Sequence, residues 1–179
     1  RYPEAIELMK QSLVALEASN KRTLQGKKSF DSRKFNSNLA LLYQLSGSLG
    51  QAETEFLAIK KVFENRGQKN NPEYANLLNQ LSLLYVQMNK FDQVEPLLVK
   101  AADVYKRKFT TENPAYAKVQ YDLGTFYRLQ GRMAEAETAL TNALGIRQRT
   151  LGENHPDYVK SLEAIGILYW KKEDITRAY

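Results

Sequence analysis

The chain has 179 residues, a net charge of +6, one histidine and no cysteine. Without cysteine it has no disulfide, thiolate metal site or thiol nucleophile. No stretch reaches the roughly 20 apolar residues of a membrane-spanning helix, and no signal-peptide pattern is present.

From the N-terminus, residues 2–25 carry Ala5, Leu8, Leu13 and Leu16 at helical spacing and predict one helix. A connection over 25–29 follows, with Lys27-Lys28. The next unit is expected to open with Ser29 as cap and Phe30 at the first helical position. Asn71-Pro72-Glu73-Tyr74 then reads as a helix start, with asparagine accepting from free N–H groups and proline where its missing N–H costs nothing. Leu77/Leu78, Leu81, Leu84/Tyr85 and Met88 continue that helix, and Asn89 suits the left-handed residue that ends it. A second helix is expected from about Phe91 to Phe109, with Pro96 removing about one backbone hydrogen bond from its first turns. Asn113-Pro114-Ala115-Tyr116 and His155-Pro156-Asp157-Tyr158 open two further units. Near the C-terminus a turn is expected at Glu173, with a second helix beginning over 174–179.

The three openings place proline at 72, 114 and 156, a period of 42 residues. A fixed period of this size marks a stacked repeat array. It extends through Leu39, Leu81, Leu123 and Ile165, and through Tyr43, Tyr85, Tyr127 and Tyr169. Gly47, Asn89, Gly131 and Glu173 form the turn column, and Ala52, Val94, Ala136 and Ala178 open the second helix. Small residues at Ser82/Gly124 and Ala101/Ala143 let paired helices approach closely. Glu53, Glu95 and Glu137 also recur in register, which implies a structural role, read here as pairing along the second helix. His155 stands in the cap column held elsewhere by asparagine, so a cap outweighs catalysis. The glycines show no phosphate-binding spacing, and no metal-ligand cluster is visible, so no catalytic residue, metal or cofactor is expected.

This column pattern resembles the tetratricopeptide repeat, whose usual unit is about 34 residues. The family's signature positions fall on Leu123, Gly124, Tyr127, Met133, Ala136, Leu140 and Ala143, while its first aromatic is replaced by Gln120. The longer period and the phrase Leu151-Gly152-Glu153-Asn154-His155-Pro156-Asp157-Tyr158 look like the units of kinesin light chains, nephrocystin and many bacterial members. The resemblance implies an all-α, right-handed superhelical solenoid of antiparallel helix pairs. Its divisions would be 1–28, the second helix of a preceding partial repeat plus connection; 29–70, a degenerate first repeat; 71–112; 113–154; and 155–179, a partial fourth repeat. Neither end supplies a clear polar cap, so the chain is expected to be one continuous excerpt of a longer protein.

The resemblance also implies a function: binding a peptide or protein segment on the concave face lined by the first helices, in a scaffold or adaptor role. The residues left over on that face after the packing columns are assigned are Lys34, Asn76, Asn79, Leu83, Lys118, Tyr121, Thr125, Arg128, Lys160 and Trp170. Asn79 matches the first asparagine of the Asn-Asn-Leu phrase of kinesin light chains, with Gln80 in place of the second. Asparagine can donate to and accept from an extended backbone, and the basic residues suit carboxylates, arginine as a fork. An acidic protein or peptide therefore fits, while positive blocks of only two or three residues argue against a dedicated nucleic-acid binder. Two alternatives stay open: a structural or regulatory array attached to a catalytic or signalling domain outside this chain, for example a caspase-like peptidase, and self-association through uncapped ends. The compartment is undetermined, with cytoplasm as the default.

Overall fold

The computed structural model of the protein describes residues 2–22 and 32–177. The connection over 25–29, the cap at Ser29, Phe30 and Ala178 lie outside the described residues. The described residues form α1 (Tyr2–Arg22), α2 (Arg33–Leu45), α3 (Leu49–Asn65), α4 (Pro72–Gln87), α5 (Val94–Lys108), α6 (Pro114–Leu129), α7 (Met133–Leu151) and α8 (Pro156–Arg177). No strand occurs among them.

The helix boundaries follow from local chemistry. Asn71 and Asn113 are extended, and their side chains accept from the N–H groups of Glu73 and Ala115 at 2.8 Å each. His155 makes the same cap, its Nδ1 accepting from the Asp157 N–H at 3.1 Å. Gly47, Asn89 and Gly131 take φ of 81°, 56° and 74°, the left-handed conformation that stops one helix and launches the next.

Two boundaries differ from the sequence expectation. Phe91–Gln93 is a short 3-10 turn, and α5 begins only at Val94. Pro96 is thus the third residue of the helix, where the N–H has no intrahelical acceptor, so the expected loss of a hydrogen bond does not occur. At the other end α8 runs through Glu173 to Arg177 without a turn. Glutamate is a good helix former and lacks the left-handed tolerance of glycine or asparagine, so nothing at 173 halts the helix.

The helices pack as pairs, α2 on α3, α4 on α5 and α6 on α7, and each second helix also touches the next first helix. α1 stands against α2, and α8 against α7, in the same way. Apolar columns bury a spine running from Leu39 through Phe56, Leu78, Leu98 and Val119 to Ile146. A further cluster joins Ala136 and Leu140 to Ala164 and Leu168. At Gly124 an added Cβ would lie 2.6 Å from Leu140 Cγ, so this column is small because two helices close on it. At Gly166 the same addition meets nothing within 4 Å.

The glutamate column has a structural role, but its partners lie on the next helix pair rather than on its own helix. Tyr127 donates to Glu95 at 2.9 Å, and Arg132 donates to the same carboxylate. Tyr169 and Lys172 donate to Glu137 at 3.0 and 2.8 Å. Lys90 donates to both oxygens of Glu53 at 2.7 Å. Arg132 also stacks on the Tyr127 ring at 4.3 Å, and Lys90 lies over Tyr85 at 5.4 Å. The start of each second helix lies beside the turn of the following pair, which brings these groups together. Burial first, then Glu95, pushes the Tyr127 hydroxyl up to about 12; burial and Glu53 do the same to Tyr85. The Arg132 hydrogen bond holds the Glu95 carboxyl below its ordinary value, with Tyr127 assisting against burial.

Candidate functional site

The first helices α2, α4 and α6 meet along one face, joined by polar bridges. Gln44 donates to Gln87 at 2.9 Å between α2 and α4, and Asn79 donates to Asp122 at 2.8 Å between α4 and α6. The ten candidate residues fall into separate groups along this face.

Lys34 and Asn76 line a cleft of about 340 Å³ between α2 and α4, together with Asn38 and Gln80 above Phe63 and Leu77. Lys34, Asn38 and Asn76 are exposed. Beside them Arg33 donates to Gln68 at 2.8 Å and stacks on Phe63 at 4.3 Å, closing one end of the cleft.

Asn79 and Lys118 converge on Asp122. Both donate to its Oδ2 at 2.8 Å, and the Thr125 hydroxyl donates to its backbone carbonyl at 2.9 Å. Asn79 is 2% exposed and spends its amide N–H on the α4–α6 bridge. Only the third copy has an acid at this column, where Asn38 and Gln80 stand in the earlier copies. The Asn79 Oδ1 is buried without a hydrogen-bond partner among the described residues. An orphaned acceptor of this kind costs about 1–3 kcal/mol.

Tyr121 is half-buried beneath the Arg147 guanidinium, 4.6 Å from the ring centre. Arg147 is itself 3% exposed and donates to the Asp157 carbonyl at 2.9 Å and the Ser161 hydroxyl at 2.7 Å. Burial pulls its pKa below the usual guanidinium range, opposed by Asp157, Tyr121 and Asp122. A reading of charge blocks places Arg147 among solvated basic residues and misses it. The signal was in the column: the equivalents Phe63 and Tyr105 are buried in the earlier copies.

Leu83, Thr125 and Arg128 meet at a notch of about 210 Å³ between α4 and α6, completed by Val86 and Leu129 over a floor that reaches Leu98 of α5. Arg128 is half-buried, and its Nε has no hydrogen-bond partner among the described residues. On α8, Lys160 pairs with Asp157 at 3.4 Å, and Trp170 is 63% exposed. The structure therefore brings together Lys34 with Asn76, Asn79 with Lys118, and Leu83 with Thr125 and Arg128. It leaves Tyr121, Lys160 and Trp170 apart from these groups. Among the described residues no cluster of three histidine, aspartate or glutamate side chains could hold a metal, and no helix is long and apolar enough to cross a membrane.

No curated protein matches the chain. Among solved structures, BtubC (BKLC) from P. vanneervenii is similar, with a TM-score of 0.83 at 22% identity over 99% of this chain and 68% of that one. The TPR-like repeats of a kinesin light chain-like protein from Podosopora anserina give 0.75 at 20% identity, over 99% of this chain and 81% of that one. At these identities the likeness is one of fold. The profile described as "Tetratricopeptide repeat" matches residues 31–107 and 116–178, most of the chain. With its paired helices, left-handed turns and 42-residue columns, the chain belongs to the tetratricopeptide repeat family.

Proposed function

We propose that the chain is a protein-interaction module that holds a peptide or protein segment along the face of its first helices. Proteins of this family generally mediate protein–protein contacts and serve as non-catalytic scaffolds. The observation that carries the reading is the cleft between α2 and α4. Lys34, Asn38, Asn76 and Gln80 surround a space of about 340 Å³ above Phe63 and Leu77. Carboxamides offer both a donor and an acceptor to an extended backbone, and Lys34 adds a cation for an acidic residue. The face also changes in composition from copy to copy, while columns such as Leu39/Leu81/Leu123 and Tyr43/Tyr85/Tyr127 hold.

Selection of a displayed library of short peptides against the 179-residue chain tests this. Selected peptides are expected to lose most of their affinity with Lys34→Glu combined with Asn76→Ala, at unchanged thermal stability. Peptides indifferent to substitutions anywhere on the first-helix face would overturn the reading.

A further inference from the structure

We propose that the edge of the array where α3 and α5 end is a docking surface for an anionic lipid membrane. This edge is separate from the first-helix face, and binding at one does not require binding at the other.

In each antiparallel pair the first helix runs toward the short turn and the second runs back. The turns therefore share one edge, and the loops between pairs share the other. The two edges differ in charge. The turn edge carries the acid column Glu53, Glu95 and Glu137. The loop edge carries Arg66 and Lys69 behind α3, and Lys106-Arg107-Lys108 at the end of α5. Arg66 and Lys108 stand one period of 42 residues apart, in one column of adjacent pairs. Stacking brings the two blocks together. Lys108 borders a hollow of about 350 Å³ whose other wall is the loop from Gly67 to Pro72. Blocks that are short in sequence thus become one patch.

The fold leaves this charge standing. All five cations are exposed, and none forms an ion pair among the described residues. Arg107 donates its Nε to the Asp103 carbonyl at 3.3 Å, which neutralises nothing. The acids beside the patch are already taken. Glu64 accepts from Lys60 at 2.9 Å and from Tyr74 at 2.8 Å, and Glu112 accepts from Arg149 with both oxygens at 2.8 Å. Clusters of four to eight basic residues are drawn to a leaflet of anionic lipid.

Phe109 supplies an apolar contact in the same place. After α3 and α7 the chain turns through the left-handed Gly67 and Gly152. In the column of Gly67, α5 has Phe109 instead, extended at φ −120° and ψ 177°. Its ring stacks on Tyr105 at 6.4 Å, yet the residue stays 43% exposed, directly after three cations. An aromatic ring among basic residues suits the boundary between headgroups and acyl chains. A nucleic acid would use the same cations. However, a single strand stacks on successive aromatic rings, and a duplex takes a helix or ribbon into its groove. This patch offers one exposed ring and the ends of helices.

Flotation of the whole chain with vesicles of phosphatidylcholine, with and without phosphatidylserine, tests this. Binding is expected to the anionic vesicles alone and should fade as salt rises. Lys108→Gln should weaken it about fivefold, the worth of one cation near such a surface. Lys171→Gln removes an equal charge from an exposed site on α8, away from the patch, and should leave binding unchanged. With Phe109→Trp in a Trp170→Phe background, anionic vesicles should shift the tryptophan emission to the blue. If Phe109→Trp lowers the melting temperature, Phe109→Tyr and Phe109→Ser replace it, and the serine variant alone should lose affinity. Absent binding at low salt, equal binding to both vesicle types, or equal losses for Lys108→Gln and Lys171→Gln would overturn the docking surface. Binding to poly(U) RNA in preference to anionic vesicles, lost on Lys108→Gln, would assign the patch to nucleic acid and overturn the membrane.

Discussion

Tyr127 lies 32 residues after Glu95 and donates its hydroxyl to that carboxylate at 2.9 Å, joining the end of one first helix to the start of the preceding second helix. Arg132 reaches the same carboxylate while stacked on the tyrosine ring. Neither bond belongs to a helix pair; both belong to the seam between pairs.

Breaking this seam should cost stability in a coupled way. Tyr127→Phe is expected to lower unfolding free energy by about 1 kcal/mol, the ordinary net worth of one hydrogen bond. Glu95→Ala should cost somewhat more, since it strands the Tyr127 hydroxyl and leaves Arg132 with Glu135 alone. In urea melts the double variant should lose less than the sum of the singles, because the two changes remove the same bond. Strict additivity would show that the contact contributes nothing. An ultraviolet titration gives a second check: the Tyr127 hydroxyl should ionise near 12 in the folded chain, against the ordinary value of 10.

The same carboxylate should shape the acid limb of stability. The Glu95 pKa is lowered in the fold, so its ionised form is the stabilising one. Its contribution is complete above the ordinary carboxyl value of 4.5 and fades as pH falls through the lower folded value. The gap in urea midpoint between the native chain and Glu95→Gln should therefore narrow from about pH 5 downward. A gap that stays constant across that range would contradict the assignment.

Gly124 and Gly166 occupy one column and should answer oppositely to alanine. At Gly124 the new Cβ meets Leu140 at 2.6 Å, and overpacking of this kind costs about 1–3 kcal/mol. At Gly166 the Cβ meets nothing, and alanine should stabilise the helix by up to about 1 kcal/mol. Thermal melts of the two single variants decide it.

Lys118 and Arg128 lie on one helix, but their charge reversals should differ. Lys118→Glu sets a second carboxylate against the nearly buried Asp122 and is expected to destabilise by about 1–2 kcal/mol, less than a fully buried pair because Lys118 is half exposed. Adding Asp122→Asn should restore most of that loss. Arg128→Glu removes no ion pair and should stay within about 0.5 kcal/mol of the native chain. Circular dichroism melts of the three variants separate these outcomes, and equal losses at 118 and 128 would contradict them.

Repetition made the fold legible in the sequence. A column that holds Leu39, Leu81 and Leu123 can be assigned to the core without any long-range information, and a cap that appears as Asn71 and Asn113 explains His155 as the same device. The departures came where one copy breaks the rule. Glu173 lacks the turn residue, so α8 continues; Pro96 is harmless because a 3-10 turn delays the helix start. The candidate face was less legible because its contacts run between copies. Asn79 carries the residue type expected of a ligand contact, but an aspartate 43 positions away takes its amide. Residue type and helical face do not reveal such a partner, because it depends on how far one first helix stands from the next.

The Glu–Tyr–cation seam has a consequence for how such a chain can change length. The α6–α7 pair carries an acceptor, Glu137, on its second helix and donors, Tyr127 and Arg132, at the end of its first helix and the turn behind it, so it bonds forward with one end and backward with the other. A tandem duplication of the 42 residues 113–154 would therefore arrive with both halves of a new junction already encoded. Growth by whole units demands no compensating substitution at the joint, whereas an insertion of any other length would put donor and acceptor out of phase.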